Sequence, residues 1–445
     1  MRQDTIFALA SGAGRAGIAV LRLSGPAAGQ ALRHIGGLAT LPPARRATLA
    51  SFRDPRDGTP IDRGLACWFP APASFTGEAV VELHVHGGRA VIAAMAEALS
   101  ALPHLRPAEA GEFSRRAFEN GKLDLTAAEG LADLVNAETA AQRRQALRQL
   151  GGELGALYEK WRLALLHALA RVEADIDFPD EDLPEELASQ VRPPVLKLLG
   201  DIKFHLDDGH RGERLREGFS IVILGPPNVG KSSLLNALSR RDAAIVSSIA
   251  GTTRDVIEVL FDLDGFPVVM ADTAGLRESD DPVEQEGMRR ALSRAENADL
   301  KLVLVEACRW PELDSAAESV IDEDTFIVLT KIDLCRAIKP AALPGPRAFE
   351  VSAATGEGMG ELMSALGEAA RSKLEIGTAP AITRLRHRRA LEECASHLDR
   401  FLNAGAAELA AEDLRLAARA LGRITGHVDV EDILDIVFRE FCIGK

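Results

Sequence analysis

The sequence predicts a multidomain protein with α+β, α and α/β parts, in which a helical domain is interrupted by an inserted P-loop α/β domain. Three observations lead there. Residues 219–372 alternate strand, loop and helix, the pattern of a parallel sheet with crossover helices. The stretches on either side, from about Leu123 to Leu215 and from Gly377 onward, carry helical periodicity instead. Residues 1–119 mix short strand-like runs with Gly and Pro punctuation, which reads as α+β. The expected boundaries are 1–119, 120–216, 217–376 and 377–445.

Taken in order, Ile18–Leu23 (IAVLRL) and Ala79–Val85 (AVVELHV) alternate or cluster apolar residues as strands do, and a helix is expected near 89–101. The acidic, proline-bearing stretch Phe178–Pro194 should interrupt the helices as a surface loop. The helices before residue 215 and after residue 381 should then pack together around the insertion. Val430–Glu440 repeats apolar residues at helical spacing, so a packed helix should deliver the last residues.

Composition narrows the class. Five cysteines (Cys67, Cys308, Cys335, Cys394, Cys442) are odd in number and form no CxxC pair, which argues against a disulfide framework or zinc site and for a reducing compartment. No apolar run reaches membrane-spanning length, and the N-terminus lacks a signal-peptide pattern, so a soluble cytoplasmic protein is expected. The net charge of −14 opposes indiscriminate binding to phosphate backbones. It is uneven, because residues 1–122 hold 14 Lys and Arg against 10 Asp and Glu.

The chemistry is densest in the insertion. The apolar run Phe219–Leu224 leads directly into Gly225-Pro-Pro-Asn-Val-Gly-Lys-Ser232 and then a helical LLNAL. This is GxxxxGKS in its strand–loop–helix setting. Its backbone amides from Asn228 through Val229, Gly230, Lys231, Ser232 and Ser233 can cradle phosphates, with Lys231 on the β/γ oxygens and the Ser232 hydroxyl on Mg²⁺. Gly251-Thr252-Thr253 supplies a second Mg²⁺ hydroxyl, Thr253, with Ser247, Ser248, Ile249 and Ala250 leading into it. Asp272-Thr273-Ala274-Gly275 closes the strand Val268–Ala271 and can hold the metal through water. Thr330-Lys331-Ile332-Asp333 ends the strand Phe326–Leu329, and a carboxylate there can accept from guanine N1 and N2 together. Ser352-Ala353-Ala354 fits the loop that meets the guanine carbonyl. Four motifs in this order select GTP. The usual base motif is NKxD, and Thr330 stands where Asn is usual, which predicts altered affinity with specificity kept.

Leu276 follows DTAG where Ras-like enzymes place a water-orienting Gln. Two groups can compensate. Asn228 can help hold a monovalent cation near the β/γ bridge, acting as an arginine finger does. Glu284 can orient water, although among Asp280, Asp281 and Glu286 it reads first as part of a solvated acidic loop. Arg254 and Arg277 read as surface or switch-packing residues.

The flanks add Gly14–Gly25 (GRAGIAVLRLSG), Ser74–Gly88 (SFTGEAVVELHVHGG), Gly111–Leu125 (GEFSRRAFENGKLDL) and a terminal Cys442-Ile-Gly-Lys445. With GPPNVGKSS, IAGTTRD and DTAGLR, these resemble the MnmE (TrmE) family of tRNA modification GTPases, within the TrmE-Era-EngA-YihA-Septin-like GTPases, across essentially the whole chain. The resemblance implies an N-terminal folate-binding and dimer-forming domain, a helical domain, and an inserted Ras-like G domain stimulated by K⁺ whose two copies meet across a homodimer. It implies that Glu284 is catalytic and that Asn228, Ser247, Ile249 and Thr252 hold K⁺. It further implies that Arg22, Glu82, Lys122 and Lys445 contact 5-formyltetrahydrofolate or a related tetrahydrofolate. Family members work with the flavoprotein MnmG (GidA), which carries FAD and uses NADH, to place an aminomethyl or carboxymethylaminomethyl group on C5 of the wobble uridine, position 34, of tRNA.

Alone, Arg22 and Lys122 read as structural or solvated residues, and His84 and His86, on one strand face, read as a polar strand edge before a metal pair. A switch GTPase of the ribosome-assembly type, without folate chemistry, is the competing expectation. It would usually bring an RNA-binding module, and no KH-type GxxG segment in a basic setting is visible. The ending FCIGK also suggests a prenylation box, but Gly444 and Lys445 are atypical there. Cys442 itself reads as a buried or idle thiol, and the resemblance implies the other role, a nucleophile near the one-carbon site.

Overall fold

A computed structural model describes residues 4–12, 14–177, 187–239, 244–245, 258–272, 293–313, 318–335, 347–377, 379–428, 431–439, 441 and 444. The chain divides into two compact units. One comprises Met1–Ala132, Arg148–Val191 and Asn403–Lys445, the other Asp133–Leu147 and Arg192–Leu402.

The first unit is built on β1 (Thr5–Leu9), β2 (Ala16–Ser24), β3 (Thr48–Arg53), β4 (Pro60–Phe69), β5 (Val80–Gly87) and β6 (Leu105–Pro107), in sheet order β3-β4-β5-β2-β1-β6. Helices α1 (Ala28–Gly36) and α2 (Arg89–Ser100) cover one face. There Leu21, Leu23, Leu32, Ile35, Phe52, Leu83, Met95 and Leu99 form the core. Period-two alternation puts Ile18, Val20 and Arg22 of β2, and Glu82, His84 and His86 of β5, on the opposite face. Part of that face is closed by α3 (Glu112–Glu119), whose Phe113 packs with Ile6, Ala8 and Phe75.

The helices α4 (Leu125–Asn136), α5 (Ala140–Leu150), α6 (Glu153–Asp177), α7 (Leu187–Leu206) and α8 (Arg211–Glu217) precede the insertion. α/β elements fill it: β7 (Phe219–Leu224), α9 (Lys231–Ser239), β8 (Ala244–Ile245), β9 (Glu258–Leu263), β10 (Phe266–Asp272), β11 (Leu300–Glu306), β12 (Thr325–Thr330), β13 (Ala348–Glu350) and α10 (Met359–Leu374). The sheet order is β13-β12-β11-β7-β10-β9-β8, with β7, β10, β11, β12 and β13 parallel. After it come α11 (Leu385–Asn403), α12 (Ala407–Thr425) and α13 (Glu431–Arg439).

Helices from both sides of the insertion meet. In the first unit α6 packs along α12, with Arg415 Nη2 2.8 Å from Glu173. In the second, buried Arg388 of α11 reaches Asp208 Oδ1 at 2.7 Å, Glu213 Oε2 at 2.9 Å and the Leu206 carbonyl at 2.9 Å. The fold is therefore a helical domain interrupted by a P-loop α/β domain, preceded in sequence by an α+β domain.

One expectation needs correcting. The loop anticipated to Pro194 gives way to helix from Leu187, with Pro193 and Pro194 inside it. Each proline removes an intrahelical donor. Val191, Val195, Leu198, Leu199 and Ile202 nevertheless fall on one helical face and are all buried, and that burial outweighs the missing bonds. Residues 178–186 lie outside the described set. Among the described residues no helix is long and apolar enough to cross a membrane, and no cluster of His, Cys, Asp and Glu suits a metal ion.

Candidate functional site

The phosphate loop leaves the buried end of β7 and enters α9, which begins at Lys231. Its curvature depends on backbone that few residues tolerate: Gly225 has φ +148°, Gly230 φ +107° and Asn228 φ +64°. A Cβ at Gly225 would stand 2.7 Å from the Leu304 carbonyl oxygen. Lys231 is 7% exposed, and its ammonium donates to the carbonyls of Gly225 (2.9 Å) and Pro226 (3.1 Å), which fixes the charge within the loop. Ser232 and Ser233 are exposed in the first turn of α9, where backbone amides and the helix dipole favour anions.

Parallel pairing of β11 with β12 brings the base motif to the same end of the sheet. The Thr330 hydroxyl donates to the Val229 carbonyl at 2.7 Å and lies 3.3 Å from that of Val305. Thr330 thus clamps the phosphate loop to the base strand, a role its sequence position did not reveal. Lys331 donates to the Asn228 carbonyl (2.7 Å) and pairs with Glu306, whose carboxyl is held below its usual range by that contact. Ser352 Oγ donates to Asp333 Oδ1 at 2.6 Å and so orients the carboxylate expected to read guanine. Asn228, with Pro226, Leu304, Glu306 and Arg309, lines a cavity of about 400 Å³ beside the loop.

The second cluster lies on the outer face of the first sheet. Arg22 and Glu82 are direct cross-strand partners, although sixty residues separate them in sequence. Arg22 Nη2 is 2.9 Å and Nε 3.1 Å from Glu82 Oε1. The guanidinium sits 5.5 Å from the Phe75 ring centroid and 6.0 Å from that of Phe113, a cation over two aromatic faces. Lys122 is exposed, yet its Cε would lie 3.3 Å from a Cβ at Gly77, two residues past Phe75. Gly444, with φ +102°, is pressed on β1, where an added Cβ would meet the Leu9 carbonyl oxygen at 2.2 Å. Ala8, the next residue back along β1, is the cross-strand partner of Arg22. The folded unit thus gathers Arg22, Glu82, Lys122 and the Gly444 end of the tail into one region.

His84 Nε2 is buried without a hydrogen bond, 3.8 Å from Glu82 Oε2. His86 Nδ1 pairs instead with Asp62 at 2.8 Å, so the two histidines serve different partners. Phe75 and Phe113 went unrecognised in the sequence, although both stand inside the motifs quoted there. Ser247 to Thr253, Thr273 to Gly275, Arg254, Arg277, Glu284, Cys442, Lys445 and the Asp272 side chain lie outside the described residues. Ala353 and Ala354 follow β13 in the turn begun by Ser352.

Comparison with known proteins decides the family. The chain matches the MnmE helical domain over residues 125–442 and the GTP-binding protein TrmE N-terminus over residues 5–122. It is 58% identical to the tRNA modification GTPase MnmE of Parvibaculum lavamentivorans, covering 99% of this chain and 100% of that protein. The chain belongs to the MnmE family. The MnmE of Paramagnetospirillum magneticum is 57% identical (99% and 100% covered) and that of Rhodospirillum rubrum 55% (100% and 100%). Among solved structures, the G domain of the T. maritima FeoB iron transporter is 24% identical, covering 34% of this chain and 98% of that one at a TM-score of 0.27. A single-residue variant of Aquifex aeolicus Era bound to GDP·AlF4⁻ is also 24% identical, covering 40% and 66% at 0.27.

Proposed function

We propose that this chain, a GTP-hydrolysing enzyme of the tRNA modification class, acts as a K⁺-stimulated hydrolase whose turnover drives C5 modification of the wobble uridine with an MnmG-type flavoprotein. MnmE membership supports the tRNA and GTPase parts. The observation that carries the finer reading is the pairing, within one chain, of a phosphate-loop site with the Arg22–Glu82 cluster under Phe75 and Phe113.

Lys231 and the α9 amides bind and orient the GTP phosphates, Ser232 and Thr253 present hydroxyls to Mg²⁺, and Asp272 acts on the metal through water. Thr330 and Lys331 hold the loop in register with Asp333, which accepts the guanine edge. Asn228, with Ser247, Ile249 and Thr252, holds K⁺, and Glu284 orients the attacking water. The donor set of the second cluster fits a reduced folate. Arg22, Lys122 and Lys445 suit glutamate carboxylates, Glu82 suits pterin N–H groups, the half-buried Phe75 ring suits stacking, and the orphaned His84 nitrogen offers one more polar contact. When bound, 5-formyltetrahydrofolate or a relative supplies the one-carbon unit, while FAD and NADH belong to the partner. Cys442, two residues before Gly444 in sequence, is proposed as a nucleophile for the one-carbon chemistry.

A homodimer is supported by the apolar residues left on the outer sheet face. Leu49 and Leu65 are direct cross-strand partners, 55% and 41% exposed, and Ile18 is 63% exposed. The proposed domain boundaries are those at residues 119, 216 and 376, and the compartment is the cytoplasm.

The test is reconstitution. Unmodified tRNA, an MnmG-type flavoprotein with FAD and NADH, GTP, Mg²⁺, K⁺, a methylene-donating folate, and ammonium or glycine as the amine should yield modified wobble uridine only when this chain is present. Purified protein should also retain 5-formyltetrahydrofolate, and Arg22→Ala should lose it with nucleotide affinity unchanged. Equal modification without the chain, or no detectable folate binding, would refute the reading.

A further inference from the structure

We propose that α5, a helix outside the insertion, reads the bound nucleotide through the β9–β10 hairpin. The Ala141 amide holds the hairpin turn when GDP is bound, and lets it go when GTP and Mg²⁺ draw the hairpin toward the metal. This deepens the GTPase reading above and rests on the Mg²⁺ roles given there to Thr253 and Asp272.

The hairpin joins two distant places. β9 and β10 pair in unbroken antiparallel register, from Leu263 with Phe266 at the turn to Glu258 with Ala271 at the other end. β10 then ends on Asp272 of the DTAG motif, and Glu258 follows Thr253 by five residues. Both groups proposed to act on Mg²⁺ therefore adjoin one end of the hairpin in sequence. The turn lies at the opposite end, about 20 Å away for six residues of strand.

The turn is rigid and already engaged. Asp264 (φ +53°) and Gly265 (φ +87°) are its two central residues, both left-handed, as a tight hairpin turn requires. Asp262 Oδ1 accepts from the Gly265 amide at 2.6 Å, and Arg371 Nη2 of α10 lies 3.3 Å from Asp264 Oδ2. The Gly265 carbonyl accepts from the Ala141 amide of α5 at 2.9 Å. Ala141 is 5% exposed and belongs to the same core as Phe261, Leu263, Val268 and Met270.

The start of α5 is fixed from its own side. Gln142 Oε1 accepts from the amides of Glu138 and Thr139, each at 3.1 Å, and Gln142 Nε2 donates to the Arg216 carbonyl of α8 at 3.1 Å. Arg214 of α8 lies 2.8 Å from Asp299, whose other oxygen accepts from the Ser220 amide of β7 at 2.9 Å. α5 is therefore tied to β7, and the hairpin is the part that moves. A pull on Thr253 and Asp272 toward the metal draws the turn away from α5. A displacement of about 1 Å takes the Ala141–Gly265 bond out of hydrogen-bonding range without changing strand register. The released amide meets solvent, because amides in the first turn of a helix have no intrahelical acceptor. Losing one such bond corresponds to about tenfold in exchange rate.

The experiment follows hydrogen exchange by mass spectrometry in the full-length protein with K⁺, Mg²⁺ and either GDP or a non-hydrolysable GTP analogue. One amide in the peptide 137–146 should exchange about tenfold faster with the GTP analogue than with GDP. Ala141→Pro removes the donor in the first helical turn, where proline is tolerated, so it should bind both nucleotides and erase the difference. Should that variant fail to fold, Gln142→Ala loosens the helix start and should narrow the difference by raising exchange with GDP. Equal exchange of 137–146 with the two nucleotides, or a difference that survives in Ala141→Pro, overturns the proposal. Peptide 225–233 separates the two readings. Protection there by both nucleotides without a change in 137–146 refutes the α5 coupling alone, whereas no protection there refutes the nucleotide site and the coupling with it.

Discussion

Thr330 shows how much one hydroxyl carries. It is 5% exposed, and its bond to the Val229 carbonyl joins the base strand to the phosphate loop. Thr330→Val removes the donor and leaves a buried carbonyl unsatisfied, at a cost of about 1–3 kcal/mol. GDP affinity should fall roughly tenfold. Thr330→Ser, which keeps the hydroxyl, should retain it. Equal affinities for all three proteins by nucleotide titration would show that the clamp does nothing. Asn228 and Glu284 belong to the same scale. Turnover in K⁺ should exceed that in Na⁺ by about tenfold, equivalent to ~1.4 kcal/mol of transition-state stabilisation. Asn228→Ala should erase the difference. Glu284→Ala should bind GTP and hydrolyse it roughly a hundredfold more slowly. Steady-state rates in the two salts decide both. The motif residues were legible because phosphate binding demands their spacing. The clamp was not, since only the pairing of β12 with β11, and of β11 with β7, brings Thr330 beside Val229.

Among the elements, the tail after α13 carries the most consequence. α13 docks on α3 through Phe438, whose ring lies 6.4 Å from Phe118, and through Arg115, 2.9 Å from Asp435. Gly111, with φ +68°, admits it, since a Cβ there would meet the Phe438 carbonyl oxygen at 2.2 Å. Gly444→Ala adds an atom where the Leu9 carbonyl stands, on a backbone that L side chains rarely adopt. The tail should leave β1 and folate retention should drop, with GTP turnover at saturating K⁺ unchanged. Unaltered folate retention in equilibrium dialysis would remove the tail from the site. Periodicity revealed α13 itself, because one apolar stripe suffices. Its partner could not be read, and neither could the helix through Pro193 and Pro194, where an apolar stripe competes with two missing donors.

Considered whole, the first unit depends on an ion cluster that links its beginning to its middle. Arg116 is 1% exposed and reaches Asp4 (3.2 Å), Glu78 (3.1 Å) and Glu112 (3.0 Å), while Arg106 Nη1 lies 2.8 Å from Glu112. Burial opposes ionisation of Glu112, but bonds from Arg106, the Glu109 amide and Arg116 outweigh it and hold the carboxyl below its usual 4.5. Asp4 is lowered from 3.8 in the same way, against its own burial, by Arg106 and Arg116. A carboxyl depressed in the folded state stabilises fully above its unfolded value and loses that contribution as the pH falls through the folded one. The thermal midpoint should therefore decline as the pH drops below about 4.5. Glu112→Gln should lower the midpoint at neutral pH and flatten that acid limb. A parallel decline in both proteins by calorimetry would place the acid sensitivity elsewhere. None of this cluster is legible in the sequence, because Asp4, Glu78, Glu112 and Arg116 are brought together only by the packing of separate segments.

The docking of Phe438, Phe441 and Gly444 on the opening third of the chain also bears on biosynthesis. The strands β1, β2 and β5 leave the ribosome before the insertion is made, while the segment that packs on β1 is made only after it. Through the whole translation of the insertion, the Arg22–Glu82 region must wait with one wall missing. The nucleotide-binding fold can mature on its own schedule during that interval, whereas the Arg22–Glu82 sheet takes its final packing only after the Gly444 segment has been made.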